Sequence, residues 1–261
     1  MSSVNLLPCL ARSSPSIFGK RLYSKALLRS SNSTPIRPLV HHQIYPQRSW
    51  YRTNTPSSQV CLRESLALLP FDKWGWVIYR CSYADDKVWA QFRTRIESKS
   101  RRDIAESDAP EISDSLEWKW VEDRATLDGA STAALRDRFR AWVVNEVAQQ
   151  PADQDFGDVS RLRYFIKIDE EVMQSLPGFL EKRWSAEAFV KIVKADWEPL
   201  CEEFDHEKDI YEPIEGCTEK DVGWMRIAPE MVNAEFYYAL DGYEPAWDDM
   251  FYQRPPHIVL W

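Results

Sequence analysis

The residues best suited to chemistry lie near the C-terminus, among many aromatic side chains. Arg226, Asp249 and His257 could bind an anion, orient a substrate and exchange a proton, since carboxylates and imidazoles are common acid and base groups in enzymes. Four aromatic residues are candidates for lining a ligand pocket: Trp224, Tyr238, Tyr243 and Trp247. Alternatively, these rings pack a core, where large aromatic side chains bury much area. The sequence leaves both interpretations open.

The sequence lacks the familiar metal-binding and nucleotide-binding motifs. Residues 206–210 begin like the zinc-protease motif HExxH, but Ile210 replaces the second His. Cys201, His206 and Cys217 supply three soft ligands, whereas a structural zinc needs four. The eight glycines form neither a P-loop nor the dinucleotide motif GxGxxG. We therefore predict neither a metal nor a cofactor.

The charges are divided unevenly along the chain. Residues 1–63 contain nine Lys and Arg and no Asp or Glu, so all 41 acidic residues lie in residues 64–261. An acidic folded region repels phosphate backbones, and we therefore predict no nucleic-acid partner. No stretch approaches the roughly 18 apolar residues of a membrane helix, so we predict no membrane span.

The first 63 residues have the composition of an organellar transit peptide, being rich in Ser, Arg and Pro. Arg21-Leu22-Tyr23-Ser24 resembles a mitochondrial processing pattern of Arg, any residue, an aromatic and a small residue. We predict a mitochondrial protein. The alternative is a cytoplasmic protein with a disordered basic tail, because this composition buries too little apolar surface to fold. The five scattered cysteines favour reduced thiols in either compartment.

Residues 64–261 are expected to form a single α+β domain. Runs of β-branched and aromatic residues predict strands, and amphipathic segments predict helices. The predicted order is βαβαββ, with strands in residues 74–83, 116–120, 162–168 and 189–193 and helices that begin near Asp85 and Ser131. This order predicts a ferredoxin-like two-layer sandwich with both helices on one face of the sheet.

Two further regions follow this predicted core. Residues 201–222 are expected to form an acidic loop, and residues 223–261 an aromatic-rich extension. Within the extension, residues 224–227 predict a short strand. Residues 229–240 predict a helix, with Pro near its start and Gly just beyond its end.

The second helix of the core has the clearest amphipathic pattern. Ser131 is its expected N-cap, and an apolar stripe follows at helical spacing: Leu135, Phe139, Trp142, Val143 and Val147. We predict that Phe139 and Trp142 are both buried against the sheet.

One part of the sequence resembles a known family. The run from Trp74 to Arg80, followed by Tyr83, Asp86 and Trp89, is similar to an uncharacterised family of filamentous fungi. The resemblance covers roughly residues 73–254. It implies a shared domain architecture and assigns no catalytic or binding residue.

A non-catalytic binding or interaction module is the leading functional hypothesis, because no nucleophile, metal or cofactor set is found. Its partner would be a protein or a small apolar ligand. Alternatively, the protein is an enzyme acting on an apolar or aromatic metabolite, with His257 as general base and Arg226 as anion partner. A third hypothesis is an accessory subunit of a mitochondrial complex, with exposed aromatic residues forming its interface.

Overall fold

A six-stranded mixed β-sheet is the centre of the structure, which is a computed structural model. The structure describes residues 56–68, 71, 73–150, 159–182, 185–199, 211–241 and 246–260. The strands are β1 (Val77–Arg80), β2 (Lys119–Val121), β3 (Tyr164–Ile168), β4 (Val190–Lys194), β5 (Trp224–Ile227) and β6 (Ile258–Val259), in the spatial order β2-β1-β3-β4-β5-β6. All belong to one compact unit, Asn54–Trp261.

Seven α-helices occur within these ranges. They are α1 (Ser58–Leu68), α2 (Asp86–Ala105), α3 (Arg124–Leu127), α4 (Thr132–Val147), α5 (Ser160–Arg163), α6 (Glu170–Glu181) and α7 (Ala234–Leu240). The predicted N-cap Ser131 is confirmed, because its side chain accepts a hydrogen bond from Ala134 N in the first turn of α4. The helix expected to begin near Asp85 is α2, and the Asp85 side chain is its N-cap. Asp169 and Asn233 cap α6 and α7 in the same way. Over the described residues, no helix is both long and apolar enough to cross a membrane.

The sheet is covered by helices on both faces. Strand β1 pairs in parallel with β2 on one side and with β3 on the other, so the chain moves outward to β2 and then returns across β1. Right-handed crossovers place the connecting helices on opposite faces when the direction of travel reverses. Ile78 and Ile166 accordingly pack with Trp89 of α2. On the other face, Phe165 contacts Phe139 of α4, with ring centroids 5.0 Å apart.

The fold is mixed α+β, as predicted, but the ferredoxin-like two-layer sandwich is not confirmed. Its two predicted helices lie on opposite faces, and β4 and β5 continue the sheet in antiparallel fashion beyond β3. The aromatic-rich extension contributes to the sheet itself, because β5 lies between β4 and β6. The predicted strand at residues 224–227 is confirmed. The predicted helix at 229–240 is divided into a 3-10 turn, Pro229–Met231, and α7.

Helix α1 crosses the boundary expected between the basic segment and the folded domain. It begins at Ser58, and its Leu62 is fully buried in the core that α2, α6 and α7 share. The division expected after residue 63 therefore falls inside a packed helix. Residues 1–55, most of the segment whose composition predicts targeting, lie outside the described residues.

Two buried arginines join the sheet to neighbouring elements through backbone carbonyls. The guanidinium of Arg161 donates to Gly75 O at 3.0 Å and to Glu117 O at 2.7 Å. The guanidinium of Arg136, on α4, donates to Gly223 O at 3.0 Å. Gly223 has a φ of +72°, and a Cβ there would overlap Arg136 and Trp197. These contacts satisfy carbonyls that burial would otherwise leave without partners.

The apolar stripe of α4 is only partly buried. Leu135 and Phe139 are 1% and 0% exposed, whereas Trp142, Val143 and Val147 are half-buried. The prediction that Trp142 is buried like Phe139 is therefore wrong. Trp142 packs at the margin of two clusters, the one on the α4 face of the sheet and a small one with Phe71, and neither covers its ring completely.

Replacing Phe139 by Ala should lower the free energy of unfolding by about 3–5 kcal/mol, because it removes a fully buried ring and leaves a cavity. Trp142→Ala should cost distinctly less, since its ring is half-buried. Urea titrations of both variants would measure the difference. Arg140→Ala, on the exposed side of the same helix, is the control and should change stability by no more than about 0.5 kcal/mol. Equal losses for Phe139 and Trp142 would contradict this packing.

Candidate functional site

A cavity opens at the carboxyl ends of β1 and β3, which are adjacent and parallel. The connection from β1 runs to β2, while the connection from β3 runs the opposite way to β4. Such a reversal leaves a crevice between the two outgoing loops, where α/β sheets commonly bind ligands. The volume of this crevice is about 280 Å³, and its lining residues are Cys81, Ser82, Asp128, Gly129, Ala130, Lys167, Asp169, Glu170 and Glu171.

Backbone hydrogen bonds hold the walls of the crevice together. The amide of Cys81 donates to Ile168 O at 2.7 Å, which joins the ends of β1 and β3. The carbonyl of Cys81 accepts from Gly129 N at 3.0 Å, which attaches the loop before α4. Gly129 has a φ of +69°, a conformation that favours glycine. The crevice is thus built from three segments distant in sequence.

A side-chain hydrogen bond crosses the crevice between the β1–α2 loop and α6. Ser82 Oγ donates to Glu170 Oε2 at 2.6 Å, and Gln174 Nε2 donates to Glu170 Oε1 at 3.0 Å. These two bonds hold the pKa of the Glu170 carboxyl below its usual value.

Basic side chains on three adjacent strands form a row behind the crevice. Lys167 on β3 and Lys191 on β4 are buried, and Arg226 lies beside Lys191 on β5. Asp169 Oδ2 lies 2.8 Å from Lys191 Nζ and 3.4 Å from Lys167 Nζ. Glu171 pairs with Lys191 at 2.6 Å and also with Arg226. Charges of opposite sign therefore alternate along the row, as burial of charged groups requires.

The pKa values of Cys81 and Asp169, two lining residues, are shifted away from neutral pH. Burial raises the pKa of the Cys81 thiol to about 12, more than the nearby Lys167 ammonium lowers it. For Asp169, burial opposes ionisation, but the hydrogen bond and charge of Lys191 together with Lys167 keep its pKa below the usual value. At neutral pH the thiol is protonated and the carboxylate is ionised.

The residues expected to carry chemistry do not line this crevice. Arg226 is occupied by Glu171 and by Pro256 O, to which it donates at 3.2 Å, while Asp249 and His257 are exposed. Within the described part of the chain, no hydrogen bond or ion pair joins Asp249 to Arg226 or His257. Arg226 pairs across the sheet with Ile258, the neighbour of His257, and a site shared by all three residues stays a prediction.

The aromatic candidates do not form one pocket either. Trp224 belongs to the cluster on the α4 face of the sheet, whereas Tyr238 and Trp247 pack into the cluster on the opposite face. Trp247 is fully buried and stacks on Tyr164, with ring centroids 5.4 Å apart. Trp224 and Trp247 are core residues, the alternative that the sequence left open, and Tyr238 is partly buried against the core. Tyr243 lies outside the described residues.

The sequence contained a signal for the crevice that motif searches miss. Polar residues follow directly after two buried strands: Cys81-Ser82 after β1 and Asp169-Glu170-Glu171 after β3. Where the described side chains are concerned, no group of three or more His, Cys, Asp or Glu is placed to hold a metal ion. Residues 201–210, which contain two of the three soft ligands considered for zinc, lie outside the described ranges.

The residues that carry the fungal resemblance form a contact cluster beside the crevice. The Arg80 guanidinium lies 4.3 Å from the centroid of the Tyr83 ring and 5.2 Å from that of Trp89. It also pairs with Asp86 and, at 3.3 Å, with Glu122. These contacts hold the junction of β1 with α2, which gives the four residues a structural role in this chain.

Comparison of the chain with family models, curated proteins and solved structures gives no match. A function is therefore inferred from the site itself.

Replacing Asp169 by Asn should destabilise the protein by about 3 kcal/mol at pH 7, because it removes the nearest counter-charge of Lys167 and one of the two counter-charges of Lys191. Asn still caps α6, so the loss reports the charge. The folded-state pKa of Asp169 is lowered, so its stabilisation is present above about pH 4 and is lost as the pH falls through that pKa. Urea unfolding between pH 7 and pH 3 would measure this.

The control is Asp137→Asn, whose carboxylate is 76% exposed and should contribute little. A loss that stayed constant from pH 7 to pH 3 would show that the charge of Asp169 is not responsible.

Proposed function

We propose that the protein is a non-catalytic binding protein whose crevice between β1 and β3 holds a small polar ligand. The observation that carries this proposal is the position of the cavity, at the point where the connections from two parallel strands diverge. Its walls belong to the ends of β1 and β3, to the loop before α4 and to the start of α6, so the site is preformed.

The protonation states in the crevice favour binding over acid–base catalysis. General acids and bases work best when their pKa lies near the working pH. The pKa of Cys81 is raised to about 12, and those of Asp169 and Glu170 are lowered. Groups with such fixed protonation states recognise the charge and hydrogen-bonding pattern of a ligand.

The charges of the lining favour a ligand that carries a positive charge. Asp169 and Glu171 are paired with buried or partly buried cations. Glu170 accepts hydrogen bonds from two neutral groups, and Asp128 lies 3.8 Å from its nearest partner, Arg124. These two carboxylates retain charge that a small ammonium or guanidinium group would match, in place of the apolar ligand expected from the sequence.

Nuclear magnetic resonance titrations of the full chain with butylammonium, guanidinium and butyrate ions would test this proposal. We expect the two cations to shift the amide signals of residues 81–82, 128–130 and 167–171. Asp128→Asn or Glu170→Gln should raise the Kd about tenfold, as loss of about 1.4 kcal/mol from a charge-assisted hydrogen bond would do.

Asp137→Asn, an exposed acidic change outside the crevice, is the matched control and should leave the Kd unchanged. Equal shifts with butyrate, or shifts spread over all acidic surfaces, would reject the proposed site.

We also propose that the protein belongs to the uncharacterised fungal family that it resembles and is imported into mitochondria. Family membership is supported by the pattern of Arg80, Tyr83, Asp86 and Trp89. Import is supported by the composition of residues 1–63, which are basic and contain no acidic residue.

Residues 1–40 fused to a fluorescent reporter should direct that reporter into mitochondria, because import depends on a positively charged leader. Fluorescence microscopy and cell fractionation would measure its location. A matched fusion with its Lys and Arg replaced by Gln should stay in the cytosol. Cytosolic location of the unmodified fusion would refute targeting by this segment.

A further inference from the structure

We infer that Glu230 is a pH-sensitive anchor of the turn that follows β5: the turn packs on α2 while the Glu230 carboxyl is neutral, and ionisation of this carboxyl weakens the packing. Glu230 lies in the 3-10 turn Pro229–Met231 and does not line the crevice, so the anchor requires no ligand. Rising pH is therefore expected to loosen the attachment of this turn.

The turn connects β5 with α7 and also contacts α2. Asn233 is the N-cap of α7, and its side-chain amide donates to Glu230 O at 2.9 Å. On the α2 side, Ser100 Oγ donates to Val232 O at 3.5 Å. The backbone that carries the Glu230 side chain is thus attached both to α7 and to α2.

The carboxyl of Glu230 is buried without a partner. Although the residue as a whole is half-buried, both of its carboxyl oxygens are shielded from solvent, and neither forms a hydrogen bond with a described side chain or backbone group. An ionised carboxylate in this position loses its hydration without compensation, whereas a neutral carboxyl loses much less. Burial accordingly raises the pKa of Glu230, more than its own backbone N–H and two cations of α2 lower it.

The two cations are Arg95 and Lys99, and both have other partners. The Arg95 guanidinium donates to two backbone carbonyls at the end of α6, at 3.1 and 2.9 Å. Lys99 pairs with Asp103 on α2 itself. Over the described ranges, neither cation forms an ion pair with Glu230. Ionised Glu230 must therefore take a cation from its partner or move toward water, and either change disrupts contacts that the neutral form leaves intact.

The direction of the pH effect follows from the raised pKa of Glu230. The folded protein binds this proton more tightly than the unfolded chain does. The stability that the neutral carboxyl allows is therefore fully present below the unfolded-chain pKa of about 4.3, and it is lost as the pH rises through the folded-state pKa. Asp169 acts in the opposite direction, because its folded-state pKa is lowered.

Two measurements on the full chain test the anchor. In the first, nuclear magnetic resonance follows the side-chain carboxyl carbon of Glu230 from pH 3 to pH 9, and we expect a titration midpoint above the ordinary Glu value of about 4.3. In the second, urea unfolding of Glu230→Gln is compared with that of the unaltered chain. The amide has the size of the carboxyl but cannot ionise. Its unfolding equilibrium constant should be about tenfold lower than that of the unaltered chain at pH 8, and within about twofold of it at pH 4.

Two further variants serve as controls. Glu235→Gln changes an exposed carboxylate on α7, so its effect on unfolding should be small at both pH values. Lys99→Met removes one of the two cations that lower the pKa of Glu230, so the titration midpoint of Glu230 should rise further.

A Glu230 midpoint at or below the ordinary value would overturn the inference, and so would a midpoint that Lys99→Met fails to raise. It would also be overturned by a Glu230→Gln variant no more stable than the unaltered chain at pH 8, or by a stability difference that did not change with pH. The carboxyl titration decides the question even if the variant does not fold. Neither measurement involves the crevice, so a failed butylammonium titration would reject the binding function and leave the anchor in place.

Discussion

The parallel pairing of β3 with β1, on the side of β1 opposite to β2, is the constraint on which the rest of the structure depends. Because crossovers are right-handed, this one pairing sends α2 and α4 to opposite faces of the sheet. It buries β1 and β3 on both faces and makes their side chains apolar almost throughout. It also makes the outgoing loops diverge, which creates the crevice.

A sheet buried on both faces has few positions where a charged side chain can reach water. The charged residues that it does contain are paired with residues of opposite charge. Lys167 and Lys191 point to the α4 face at the carboxyl edge, where Asp169 lies within 3.4 Å of both. Each of these charges would be costly alone, and together they order the start of α6. The same carboxylate caps that helix through Val172 N. Helix position, strand edge and crevice wall are therefore coupled through one side chain.

The sequence predicted the elements better than their arrangement. Local signals, such as the helix starts near Asp85 and Ser131 and the alternation in β3, depend on neighbouring residues and were read correctly. Strand order depends on contacts between distant segments, so the crevice could not be located. One clue was present: the strand at residues 74–83 is apolar on both sides, which requires helices on both faces and conflicts with a two-layer sandwich. Trp142 shows a second limit, because helical spacing does not reveal how completely neighbouring segments cover a side chain at the margin of a core.

Because the large aromatic residues are used in the core, the polar groups that remain accessible to a ligand lie at the carboxyl edge of β1 and β3. Trp74, Trp76 and Trp247 are fully buried, and Trp247 stacks on Tyr164 of β3. Rings of this size stabilise the fold by burying apolar area, so these three residues act as core residues against the sheet. Tyr83, Asp86 and Trp89, which contact Arg80, likewise stabilise the β1–α2 junction. The carboxyl edge differs, because Glu170 and Asp128 keep charge that no cation of the described chain neutralises closely. A ligand that supplies this cation would complete the alternation of charge that Lys167, Asp169 and Lys191 begin inside the protein.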